Sequence, residues 1–212
     1  MLRALILTTA LILYSGTASG QYYMFDAEEN GVAVEYARAR DGDITAQGFG
    51  LTVKSREHEG IFLGYSWAKP SEGPKVKNYR LGYERYIVTE SDAVFHTVVI
   101  PSISLDHASL PYDLTVTSLV PGAALGFMGP ISETGRTVTA AGVSAWVPVR
   151  SSEGIDTKVT TTVFASSTIA FRITPKVILA GGVTYSDSNA EGSEGVFEFK
   201  VGLLFATIRQ VP

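Results

Sequence analysis

Polar and apolar residues alternate with period two along most of the chain, and helical periodicity is nearly absent. The clearest run is Val196 to Ile208. Phe197, Phe199, Val201, Leu203 and Phe205 share one face there, with Glu198, Lys200, Gly202 and Ala206 on the other. Residues 177–186 repeat the scheme, with Val177, Leu179, Val183 and Tyr185 opposite Ala180, Gly182, Thr184 and Ser186. In 158–173, Val159, Val163, Ile169, Phe171 and Ile173 oppose Lys158, Thr160, Thr162, Ser166, Thr168 and Arg172. Ile61, Leu63, Tyr65 and Trp67 oppose Gly64, Ser66 and Ala68 in 61–68. Weaker runs at 31–39, 44–54, 77–88, 92–104, 113–128 and 136–150 bring the expected strands to ten.

Turn chemistry separates these runs. Asp41-Gly42-Asp43 is a tight hairpin signal. Ser55–Gly60, Lys69–Lys75, Thr89–Asp92, Asp106–Asp113, Gly129–Gly135, Ser151–Asp156, Thr174–Lys176 and Ser186–Gly195 supply the other connections. None is long enough for a crossover helix, so the topology is an up-and-down antiparallel meander. Pro101 and Pro121 fall inside two of the longer runs. Proline removes a ladder donor, so these strands are expected to bend, bulge or end there, and eight strands is the alternative count.

Alternation alone does not separate a soluble barrel from a membrane barrel; the content of each face does. Opposite the apolar face stand mainly Gly, Ala, Ser and Thr, with a few charges: Glu35, Arg80, Glu84, Lys158, Arg172, Glu198 and Lys200. Small residues make a poor solvent-exposed face but suit a narrow polar lumen. The apolar face suits lipid, with Tyr65, Trp67, Tyr79, Tyr83, Trp146 and Tyr185 as candidates for interfacial aromatic girdles. Unpaired edges in hydrocarbon cost several kcal/mol per group, so such a sheet must close. The fold class is therefore all-β, a closed transmembrane barrel over residues 31–209. With the N-terminus periplasmic, the shortest connections, Thr174-Pro175-Lys176 and Thr89–Asp92, face the periplasm, and longer acidic ones such as Ser186–Gly195 face outward.

The chain's start adds an address. Arg3 precedes an apolar run from Ala4 to Tyr14, followed by Ser15, Gly16, Thr17, Ala18, Ser19 and Gly20. Residues 1–20 have the pattern of a cleaved signal peptide, with cleavage after Ser19 or Gly20, and 21–30 form a lead-in. The apolar run is too short to span roughly 30 Å of hydrocarbon, and no later segment approaches 18 apolar residues, which excludes a helical membrane protein. Without Arg3 the chain has one fewer cation than its 17 Lys+Arg, against 21 Asp+Glu, so it is mildly acidic. It has no basic run, which argues against nucleic acid. An exported chain with no Cys points towards a bacterial envelope. A mean hydropathy of +0.17 without long apolar runs is what alternation produces.

The signal, the meander and stretches such as Asn78-Tyr79-Arg80-Leu81-Gly82-Tyr83-Glu84 and Phe171-Arg172-Ile173-Thr174-Pro175-Lys176 resemble the small outer-membrane β-barrel superfamily, the OmpA-like and opacity-type porin families. The resemblance covers residues 31 to 208 and lies in pattern. It implies the bacterial outer membrane, with membrane lipid and the barrel-assembly machinery as partners. Members usually end on an aromatic residue, whereas Phe205 here is followed by Ala-Thr-Ile-Arg-Gln-Val-Pro. The recognition element is then internal, at Phe205 or Ile208, or the insertion signal is atypical.

Candidate chemistry changes this picture little. The three histidines, His58, His96 and His107, have no ligand-pair spacing, and without Cys a zinc site is not expected. The only hydrolytic constellations are His96 with Ser102, and His107 with Ser109 and Asp106. The first is read as a lumen histidine and the second as a solvated loop. The glycines follow no nucleotide-binding pattern and fit tightly curved strands. No catalytic residue, metal or cofactor is expected. The lumen charges would pair and plug a ten-stranded bore. The expected function is a structural or interaction barrel. The alternatives are a small passive pore, a lipid-modifying hydrolase, or a secreted soluble lipid-binding barrel, though the last lacks an early Gly-x-Trp.

Overall fold

The structure, a computed structural model, describes residues 30–41, 44–55, 58–69, 74–89, 94–153, 155, 157–190 and 195–207. Residues 1–20, read as a signal peptide, and all of the lead-in but Asn30 lie outside them. The strands are β1 (Asn30–Asp41), β2 (Ile44–Lys54), β3 (Glu59–Lys69), β4 (Val76–Arg85), β5 (Ile87–Val88), β6 (His96–Ser109), β7 (Thr115–Pro130), β8 (Gly135–Ser151), β9 (Thr160–Thr174), β10 (Val177–Ser188) and β11 (Val196–Thr207). Each pairs antiparallel with its sequence neighbour, and β5 is a short continuation of β4 along the edge of β6. The sheet closes through β1 and β11, from Asn30↔Thr207 to Arg40↔Phe197. The wall is therefore a ten-stranded antiparallel barrel.

The two prolines act as local breaks. They do not end their strands. Pro101 sits inside β6, and the pairing with β4 and β5 lapses opposite it, between Glu84↔Ser102 and Ile87↔Val99. There the Tyr86 N–H donates instead to the His58 carbonyl at 2.7 Å. Pro121 lies in β7 where the pairing with β8 skips from Leu119↔Val147 to Gly122↔Ser144. A missing donor costs a rung of the ladder, and both strands continue because the opposite edge stays paired.

The expected turn Asp106–Asp113 is displaced. β6 runs on to Ser109, since the alternation of Ser102, Ser104 and Asp106 against Ile103 and Leu105 continues unbroken. At the N-terminal side β6 begins at His96, after the expected start at 92. Lys158 precedes β9 and is exposed.

Burial runs opposite to that of a soluble domain. Phe49, Leu51, Leu63, Leu81, Leu105, Val183, Phe199 and Phe205 all point outward and are exposed. Inside, two apolar layers cap the ends of the barrel. Near the chain termini Ala33, Val98, Ile100, Met128, Ile178 and Leu204 pack together. At the other end, where β1 turns into β2, Ala39, Ile44, Ala68, Val76, Leu110 and Val196 form a second cluster. Polar residues fill the space between.

Candidate functional site

The middle of the lumen holds a belt of buried charge. Four carboxylates, Glu35, Glu84, Asp106 and Glu198, share it with Lys54, Arg80 and Lys200. Asp106 is its best-defined anchor. Its carboxylate accepts from Arg80 Nε at 2.8 Å and pairs with Nη2 at 2.7 Å, while Ser104 Oγ donates at 3.0 Å and Asn78 Nδ2 at 3.4 Å. The Arg80 guanidinium also lies 5.3 Å from the centroid of the Trp146 ring, within cation–π range. On β11, Lys200 Nζ and Glu198 Oε1 are 2.5 Å apart.

Strand register puts three of these groups, Glu35, Arg80 and Asp106, in one row. Glu35, Gly50, Gly64, Arg80, Asp106 and Ser118 are successive partners across β1, β2, β3, β4, β6 and β7. Two glycines separate Glu35 from Arg80, so no side chain stands between them. A Cβ on Gly50 would come 2.5 Å from Glu35 Oε1, so the carboxylate lies over the bare backbone. Nearer the termini, Gly60 separates Lys54 from Glu84 in the same way. The Phe62 ring covers Gly82, where a Cβ would collide with it, and so narrows the bore between the Arg80 and Glu84 rows.

The structure brings Glu35, Arg80, Glu84, Glu198 and Lys200 together inside the barrel. It does not bring Lys158, which is exposed before β9. Arg172 has the inward parity of β9 but sits at the rim, where its Nη1 donates to the Pro175 carbonyl at 3.0 Å. Among the girdle candidates, Tyr79, Tyr83 and Tyr185 are exposed on the outer wall, and Tyr65 and Trp67 lie half-buried beside them. Trp146 does not belong there, because it is buried in the lumen against Arg80. Apolar residues stand on both faces of β8 around it, so alternation left its direction open.

Sequence reasoning missed Lys54, Asn78 and Asp106 as lumen groups. A period-two signal was present for each: Lys54 follows Thr52, Asn78 precedes Arg80, and Asp106 follows Ser104 on one face. Neither hydrolytic constellation assembles. His96 and Ser102 are six residues apart on one strand, roughly 20 Å at the usual rise. His107 faces outward, with Nδ1 3.0 Å from Thr117 Oγ1, while Asp106 faces inward. Among the described residues, no group of three or more metal-ligating acids or histidines converges.

No family model and no curated protein matches the chain by sequence. Solved structures match it by shape. The β domain of the Bordetella autotransporter Brka is 10% identical with a TM-score of 0.53, over 85% of this chain and all of that one (100%). The translocator domain of the autotransporter NalP from Neisseria meningitidis is 14% identical with a TM-score of 0.43, over 94% of this chain and 92% of that one. LpxR from Salmonella typhimurium is 8% identical with a TM-score of 0.48, over 82% of this chain and 99% of that one. The sheet closes on itself and turns an apolar face outward, and with the likeness to the first of these this chain has the fold of the small outer-membrane β-barrels.

Proposed function

We propose that this chain is an integral outer-membrane barrel with a sealed lumen. It would work through its wall and loops as a structural or interaction module, not as a channel or an enzyme. One observation carries this reading. Arg80, Glu84, Asp106, Glu198 and Lys200 all face the bore, yet they are only 0 to 8% exposed. Charges lining a water-filled pore stay wet. Here they are packed against one another between two apolar layers, and a solute would have to displace paired ions to pass.

The outer membrane as location is supported by the transmembrane fold and by the export pattern of residues 1–20. Detergent-purified protein should show heat-modifiable gel migration and no steady unitary conductance in planar bilayers. Steady wild-type currents altered by Arg80→Ala would overturn the sealed lumen. Recovery from the soluble periplasmic fraction would overturn the membrane assignment. Overexpression should leave lipid A and phospholipid profiles unchanged. A new hydrolysis product lost in His96→Ala would establish an enzyme instead.

A further inference from the structure

The outer wall of β1 to β4 is layered by residue type. At mid-height Val34, Leu51, Leu63, Leu81 and Leu105 are successive register partners, an aliphatic row. The next row towards the loop end is aromatic: Tyr36, Phe49, Tyr65 and Tyr79, with ring centroids 5.4 Å apart for Tyr36–Phe49 and 5.1 Å for Tyr65–Tyr79. The rows beyond carry cations. Arg38, Gln47, Trp67 and Lys77 are partners in one, and Arg40, Thr45 and Lys69 in the next. All four cations are exposed. The described outward positions of this sector's loop end include no carboxylate.

A groove of about 620 Å³ runs into the aliphatic and aromatic rows, walled by Phe49, Leu51, Leu63, Tyr65, Tyr79 and Leu81. Its floor is the backbone of Gly50 and Gly64, which pair with each other. Lys77 stands one outward position beyond Tyr79, and Lys69 two beyond Tyr65, so the cations lie roughly 7 to 13 Å loopwards of the groove. Long cationic side chains close such gaps by extending along the wall.

Two other parts of the rim lack the combination. At the terminal end of the same strands Glu59 faces Arg85 in register and accepts from Tyr83 Oη, so charge cancels. Across the barrel the loop-end rim is mixed, with exposed Arg150, Lys158, Glu153 and Asp187.

The geometry points to a binding site for a phosphate-bearing anionic lipid on the wall of β1 to β4. An acyl chain lies in the groove over Gly50 and Gly64, and the headgroup phosphate meets Arg38, Arg40, Lys69 and Lys77. Two observations select this occupant: the groove is continuous with the face that the fold turns to the bilayer, and four cations cap it at the loop end. Juxtamembrane cations favour an anionic lipid surface, so the four should give a preference of tenfold or more over a zwitterionic lipid. This inference rests on the transmembrane fold and is independent of whether the lumen conducts.

The test uses the full chain in detergent micelles doped equally with phosphatidylglycerol and phosphatidylcholine. Native mass spectrometry should show phosphatidylglycerol retained at least tenfold over phosphatidylcholine. The preference should fall to near unity in R38Q/R40Q/K69Q/K77Q, with heat-modifiable migration kept. The double variant K69Q/K77Q, a milder change, should lose most of it. R150Q/K158Q, which removes two cations from the opposite rim, should leave the preference intact. In vesicles, Trp67 places an indole beside Lys77, so brominated phosphatidylglycerol should quench tryptophan emission more than brominated phosphatidylcholine. Equal retention of the two lipids by the wild type would overturn the site, as would an equal loss of preference in R150Q/K158Q.

Discussion

The two halves of the barrel wall solve the same packing problem with different side chains. From β11 through β1 to β6 the strands, apart from the two-residue β5, have 10 to 14 residues, and their inner face carries the charges, with glycines making room. β7, β8 and β9 are longer, at 16, 17 and 15 residues. With β10 they line the lumen with Ser118, Thr160, Thr162, Thr184 and Ser186. The outer faces differ too. The first half is aromatic and bulky. Much of the second is small, with Ala123, Ala141 and Ala165, and with Thr139 Oγ1 and Ser167 Oγ 3.1 Å apart.

The contrast shows what each chemistry demands of the fold. A hydroxyl can satisfy itself on a nearby backbone carbonyl, as Thr137 Oγ1 does on the Thr168 carbonyl at 2.9 Å. An ion buried in a narrow bore has no such local solution and needs a counter-ion at one position. The charged half should therefore be brittle and the hydroxyl half tolerant.

The largest expected effect lies in the charged half. Asp106→Ala leaves Arg80 buried without its bidentate partner and should cost about 3 to 5 kcal/mol, read as a lower urea midpoint for loss of the heat-modifiable form. Replacing both partners, in Arg80→Met with Asp106→Leu, should recover most of that loss, because a pair replaced by apolar groups is often neutral. If the double variant is as unstable as the single one, the belt does more than pair charges.

Next in size is a change on the outer face, where the two halves should behave alike. Leu81→Arg in the first half and Val183→Arg in the second should each cost about 2 to 4 kcal/mol in vesicles, since lipid solvates both. A cost confined to one of them would mean that the other is covered or lies near an interface. The smallest effect belongs to the hydroxyl half. Thr162→Val or Thr184→Val should change stability by about 1 kcal/mol or less in the same unfolding assay. A loss as large as that of Asp106→Ala would erase the distinction between the halves.

Much of this was legible in the chain. Alternation placed Glu35, Arg80, Glu84, Glu198 and Lys200 on the inner face and gave ten wall strands close to their observed bounds, with β2 matching at both ends. The errors have a common origin. Asp106 and His107 looked like the start of a turn because Asp is a turn former, but where β6 ends depends on the height of β4 and β7 beside it. Lys158 was counted as an inner residue because its parity fits β9, which starts two residues later. Trp146 looked like a girdle residue by type, while its direction was fixed by β8's pairing with β7, where the register shifts between Thr117 and Ser118.

The sequence by itself determined which residues could share a face, because the two-residue period of an extended chain is local geometry. It also determined that the inner face would be small enough for a narrow bore. Only the tertiary structure decided which inner residues meet. Arg80 finds Asp106 across the β4–β6 pairing, 26 residues on, and closure of β11 on β1 sets Lys200 opposite Ala37 and Glu198 opposite Ala39, loopwards of Glu35. Those encounters depend on register carried strand by strand around the ring, and a one-residue slip anywhere would turn every inward charge beyond it towards lipid.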